Sequence, residues 1–218
     1  VPGFDCNGDC LDVNGDGECD YGLQLVWELV EDDIGLSGVD TDGGTYDLTG
    51  FSTYRLFVES TGQLLVDFYG AYDNMPMAFS STGDLFNSSP DFNYAFEINP
   101  ILYSVLPELA YDSWWTLGVE DAEVDFAAGE CEPSIIPDSN QLEFLTEANW
   151  TSTGDLSIGG PLMYLLSNCS NAVPDSNNRV LIGQFTSNGG LGVELVVRGV
   201  TSDLTTDYDI LLSAFTTD

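Results

Sequence analysis

Residues 23–30 set the apolar Leu23, Leu25, Trp27 and Leu29 in alternation with Gln24, Val26, Glu28 and Val30. Successive side chains of an extended strand point to opposite faces, so this period places four large apolar groups on one side. The pattern fits a strand lying on a core and does not fit a helix. Similar apolar, β-branched runs recur at 53–59, 63–69, 77–81, 114–119, 155–158, 163–166, 179–186, 192–200 and 208–215. Turn signals such as Thr41-Asp-Gly-Gly44, Ser60-Thr-Gly62 and Ser187-Asn-Gly-Gly190 fall between them. Many short strands with polar turns make an all-β sandwich or barrel-like domain. One short helix is expected after Asn99, a capping residue followed by Pro100, with Ile101, Leu102, Val105, Leu106 and Leu109 as its apolar stripe. Pro107 disturbs its end. The stretch 127–140, with Cys131, Pro133 and Pro137, reads as a long surface loop.

Ahead of the first strand the texture is different. Asp12-Val-Asn14-Gly-Asp16-Gly17-Glu18-Cys19-Asp20 places oxygen donors at loop positions 1, 3, 5 and 9 of a calcium loop, with Gly17 at the sharp bend and Glu18 offering its carbonyl. Asp5, Asn7 and Asp9 repeat the opening of that motif immediately upstream. Position 12 is Leu23 and not the bidentate Glu of a full EF-hand, so a further ligand has to come from the first run, from water or from the following domain. Six carboxylates in the sixteen residues from Asp5 to Asp20 repel one another without a cation. The expectation is one or two Ca²⁺ per chain, in the ~10⁻⁴–10⁻³ M range common to extracellular modules. The alternative is an acidic Asn/Gly turn that holds no ion. The chain thus divides into a Cys/Asp-rich arm, 1–21, and a β domain, 22–218.

Cys6, Cys10 and Cys19 are interleaved with these ligands, and a three-thiolate zinc knuckle is the rival reading. Oxygen donors dominate the segment, and the chain has no His. Cys131 and Cys169 stand far apart, and a disulfide between them would close a loop worth ~4 kcal/mol. The odd count of five leaves one thiol free or paired with another chain. Asn87, Asn149 and Asn168 begin Asn-x-Ser/Thr triplets that could carry glycans. All of this agrees with an extracellular address.

Three Arg, no Lys and 37 acidic residues give a formal charge of −34. That field argues against nucleic acid and anionic membranes as partners, and it makes self-association depend on cations or salt. Hydrophobic content of 43% separates the chain from acidic disordered segments. No apolar run approaches the ~18–20 residues of a membrane span. Without His or Lys there is no Ser-His or Cys-His pair, Schiff base or P-loop, and no carboxylate pair stands out for hydrolysis, so no enzyme is expected. Trp114 and Trp115 adjoin in a strand, so one ring faces the core and the other lies beneath the helix, at a subunit contact or on a sugar platform. Arg55, Arg179 and Arg198, each in a strand, are expected to pair with Asp or Glu.

Residues 3–20 (GFDCNGDCLDVNGDGECD) resemble the Cys- and Asp-rich repeats of large secreted proteins from Bacteroidetes-type bacteria. The runs TYRLFV at 53–58, LAYDSWWTLG at 109–118 and RVLIGQFT at 179–186 resemble, in that order, a poorly characterised secreted β-domain of similar multidomain surface proteins. The resemblance implies a β-rich fold and a cell-surface location, with no catalytic residues to carry over. Together these features lead to the expectation of a calcium-stabilised extracellular structural protein that builds a homo-oligomer or fibril, with Leu23, Leu25, Trp27 and Leu29 as candidates for a strand donated to a neighbour. That strand is otherwise the first of its own sandwich. The alternative is a carbohydrate-binding or adhesin module gripping polysaccharide through Trp115, Trp150 or Tyr111.

Overall fold

The computed structural model describes residues 10–11, 21–39, 43–61, 64–70, 77–88, 92–136, 154–158, 162–205 and 207–216. Fifteen strands appear among them: β1 (Cys10–Leu11), β2 (Tyr21–Glu31), β3 (Ser37–Val39), β4 (Thr45–Asp47), β5 (Ser52–Thr61), β6 (Leu65–Gly70), β7 (Met77–Ser81), β8 (Leu85–Phe86), β9 (Trp114–Trp115), β10 (Ser134–Ile136), β11 (Gly154–Ile158), β12 (Leu162–Tyr164), β13 (Arg179–Ser187), β14 (Leu191–Val200) and β15 (Asp207–Phe215). They form two antiparallel sheets facing one another, with the β3–β4 hairpin apart. The expectation of an all-β sandwich holds.

The first sheet runs β1–β2–β5–β13, and β8 and β9 follow one another along the far edge of β13. In the second, β15 covers one edge of β14 along its length. The other edge of β14 is shared, β6 taking Val196–Val200 and β7 taking 191–194. Beyond β6 lie β12 and β10, and beyond β7 lies β11.

Alternation decides which side chains meet between the sheets. Leu23 and Leu25 of β2, Leu56 and Val58 of β5, Leu195 and Val197 of β14, and Ile210 and Leu212 of β15 all point inward and are buried. A bulge between Leu181 and Gly183 resets the phase of β13, so Ile182 and Phe185, three residues apart, both face the core. Phe185 sits at its aromatic centre, with ring centroids 4.6 Å from Trp115, 4.9 Å from Phe79 and 5.7 Å from Trp27.

The first sheet has a second buried face. Leu181 and Trp114 turn away from the inter-sheet core and pack with Ala95, Ile98 and Leu109 under the irregular segment 92–125. The adjoining tryptophans therefore divide as their alternation requires: Trp115 enters the main core, and Trp114 lies beneath the covering turns. At Gly118 the cover bends with φ +75°, and a Cβ there would run into the carbonyl of Asn171.

Three expectations are corrected. The short helix is two 3₁₀ turns, Pro100–Ser104 and Pro107–Tyr111. Asn99 does cap the first, accepting from the Ile101 N–H at 3.0 Å. Pro107 holds Leu106 out of the helical region (φ −131°, ψ 72°), which divides the stretch into pieces too short for an α-helix. Ile101 and Val105 consequently point to solvent, 71% and 70% exposed. The run 114–119 is a strand only at β9, because Gly118 turns the chain. The long loop 127–140 contains β10, paired to β12; residues 137–140 lie outside the described residues.

Candidate functional site: an open sheet edge and a polar cover

Two long strands stand at the same side of the sandwich. Apart from the short pairing of β1 with Tyr21 and Gly22, no described strand adjoins the outer edge of β2. None adjoins the outer edge of β15. The two strands lie close together across the mouth of the sandwich. A groove of about 400 Å³ opens between them, with Leu25, Trp27 and Leu29 on one wall and Ala214 and Phe215 on the other. Leu29 and Phe215 on its walls are 50% and 71% exposed, and beyond it Val30 is 49% and Leu211 43% exposed. Open main-chain edges flanked by apolar groups invite pairing with another chain, and folded proteins ordinarily blunt such edges.

The residues singled out for strand donation therefore have distinct settings. Leu23 and Leu25 belong to the domain's own core, and Trp27 packs against Phe185. β2 is paired with β5 from Gly22↔Thr61 to Glu31↔Thr53. Leu29 alone of the four is exposed. Removing 1–30 would strip an edge strand from this core, so substitutions at the exposed positions probe the edge more cleanly than truncation.

All three arginines pair with carboxylates, as expected. Arg55 Nη1 reaches Glu120 Oε2 at 3.0 Å. Arg179 meets Glu28 and Glu59, both at 2.9 Å, with its guanidinium over the Phe57 ring. Arg198 Nε donates to Asp67 Oδ1 at 2.9 Å, and the Ser167 hydroxyl donates to Asp67 Oδ2 at 2.6 Å. Asp67 is only 3% exposed, so removing Arg198 would leave it buried without its cationic partner; the more exposed pairs contribute little to stability.

The cover over the first sheet is polar where it meets β13. Gln184 Nε2 donates to the carbonyls of Ala110 and Asp112 at 3.0 and 3.1 Å, and its Oε1 accepts from Arg55 Nε at 3.3 Å. This clamps the end of the 107–111 turn onto the sheet. Asp112 Oδ1 accepts the Ser88 and Ser113 backbone N–H groups at 2.7 and 3.1 Å. Tyr46 of β4 donates to Glu108 Oε2 at 3.3 Å, laying the β3–β4 hairpin on the same turn. Burial pushes the Asp112 carboxyl well above its ordinary value of 3.8; the Ser88 and Ser113 bonds offset part of this, and the Glu108 charge adds to it. A carboxyl raised in the fold stabilises most below pH 3.8, and that contribution fades as pH climbs through the raised value. Composition gave no sign of these two carboxylates among 37.

Cys131 and Cys169 form the expected disulfide, with Cα atoms 5.6 Å apart. Asn171 reinforces it, its Oδ1 accepting from the Cys131 N–H at 3.0 Å and its Nδ2 donating to the carbonyls of Cys131 and Leu117 at 3.0 and 3.1 Å. Among the glycan candidates, Asn168 is exposed beside this bridge. Asn87 is half-buried with its Nδ2 shut from solvent, which leaves a glycan no room in the folded domain. Asn149 and Trp150 lie outside the described residues, as do the calcium candidates Asp5, Asn7, Asp9, Asp12, Asn14, Asp16, Glu18 and Asp20. Trp115, offered as a sugar platform, is 3% exposed and cannot stack on a ligand. Tyr111 is half-buried with its hydroxyl 3.5 Å from Glu31 Oε2. Among the described residues no group of three or more His, Cys, Asp or Glu could hold a metal, and no helix is long and apolar enough to cross a membrane.

No protein-family model, curated protein or solved structure matches the chain. The class the fold itself defines is a two-sheet antiparallel β-sandwich with one polar, irregular cover.

Proposed function

We propose that the chain is a non-catalytic, extracellular structural module that joins copies of itself through the β2/β15 edge into a cell-surface fibril or sheath, with Ca²⁺ bound by the acidic arm. The observation that carries this reading is the adjacency, at one side of the sandwich, of two strands whose outer edges no described strand covers beyond Gly22, each bearing exposed Leu, Val or Phe. Pairing edge to edge would satisfy main-chain groups and bring Leu29, Val30, Leu211 and Phe215 beside a neighbouring copy. Like charge opposes this contact, since each copy carries a formal charge of −34. Divalent cations in the surrounding fluid would relieve the repulsion and tie the arm to the first strand.

The test is the pair Val30→Lys and Leu211→Lys. Both side chains stand about half out of the fold, 49% and 43% exposed, so each change should alter folding stability by no more than ~0.5 kcal/mol. Sedimentation in millimolar Ca²⁺ should show the wild type as assemblies and the double variant as monomer, with equal β-sheet spectra. Assemblies of unchanged size in the variant would remove the edge from the proposal.

A further inference from the structure

Where the β3–β4 hairpin meets the cover of the first sheet, two carboxylates lie inside the protein. Glu108 is 1% exposed and Asp112 0%. Each has one oxygen engaged, Glu108 Oε2 by the Tyr46 hydroxyl and Asp112 Oδ1 by two backbone N–H groups, and the Ser88 hydroxyl also lies against the Asp112 carboxyl. Each also has a second oxygen, Glu108 Oε1 and Asp112 Oδ2, that is shut from solvent and accepts no hydrogen bond among the described residues. The two groups feel one another's charge, yet no described hydrogen bond joins them. No positive side chain reaches the pair: the three arginines form their ion pairs elsewhere, and the chain has no Lys or His. Buried carboxylate oxygens are ordinarily hydrogen-bonded, paired with a cationic group or bound to a metal.

We infer that Glu108 and Asp112 are the carboxylate ligands of a buried divalent-cation site that takes Ca²⁺, separate from the acidic arm. Hard oxygen donors without nitrogen or sulfur favour Ca²⁺ over transition metals, and Ca²⁺ completes its shell with main-chain carbonyls and water. The ion supplies the positive charge that this corner lacks. It also fastens the 107–111 turn to β4, so the cover of the first sheet becomes calcium-dependent without any contribution from the arm.

Equilibrium dialysis of the full chain at saturating Ca²⁺ tests this by counting ions. Glu108→Gln/Asp112→Asn keeps both side-chain shapes and should bind one ion fewer than the wild type. Asp12→Ala/Asp16→Ala, altered only in the arm, should keep the ion at Glu108 and Asp112, and adding Ca²⁺ to it should slow amide exchange across residues 107–113. An equal count in Glu108→Gln/Asp112→Asn and wild type overturns the site. If that variant does not fold, the arm variant decides alone: protection of 107–113 by Ca²⁺ supports the site, and exchange there indifferent to Ca²⁺ overturns it.

Discussion

Replacing Phe185 with Ala should lower the unfolding free energy of the β domain by about 3–5 kcal/mol. Phe185 is fully buried, and its ring is the one that Trp27, Phe79 and Trp115 share. Truncation removes the transfer energy of the ring and leaves a cavity that three large aromatics, each fixed on a different strand, cannot close. The edge-on contacts to Trp115 and Trp27 add about 0.5–1.5 kcal/mol each beyond burial. For a chain of this size such a loss lowers Tm by roughly 10 °C. Urea unfolding followed by tryptophan fluorescence measures it, since Trp27 and Trp115 report on the same cluster. A change under about 1 kcal/mol would mean that the two sheets do not meet around this ring.

The Cys131→Ser/Cys169→Ser variant should lose a similar amount by a different route. The bridge spans a sequence separation of 38 and restrains the unfolded chain, which the loop-entropy relation values at about 4 kcal/mol. The folded geometry does not depend on the bridge alone, because Asn171 ties Cys131 to Leu117 and the Ser170 N–H donates to the Gly129 carbonyl at 2.9 Å. The expected signature is therefore a lower denaturant midpoint with a largely unchanged native spectrum. Loss of the native β-sheet spectrum in the absence of denaturant would show that the bridge, and not the Asn171 bonds, holds this corner.

The parts of the fold legible in the sequence are those where burial is one-sided or complete. β2, β5, β7, β13, β14 and β15 carry alternating or continuous apolar residues and appear within two residues of their expected bounds. β3 and β4 were not legible: Ser37–Val39 and Thr45–Asp47 are short and exposed, and their hairpin is held by neighbours such as Leu48, which is 1% exposed, and by the Tyr46–Glu108 bond. The spacing of Leu102, Leu106 and Leu109 satisfies one helix or two 3₁₀ turns alike; the two prolines decide between them. The split of Trp114 and Trp115 followed from alternation alone. Glu108 and Asp112 were invisible because nothing local marks a buried carboxylate. Only the packing of β4, β8 and β9 around the 107–111 turn takes them out of water.

The open edge was half legible. Alternation identified β2 as a strand with an apolar face, but its pairing with β5 depends on contacts 22 to 39 residues away in sequence. With β2 paired in its own sheet, the assembly we propose is through edges that meet and not through a strand given away. The most direct measurement is electron microscopy of the full chain in millimolar Ca²⁺, repeated after excess chelator, with the β-sheet spectrum recorded in both. The account expects filaments with calcium that come apart on chelation while the sheet signal persists. Isolated monomers in saturating Ca²⁺, or filaments indifferent to the chelator, would contradict it.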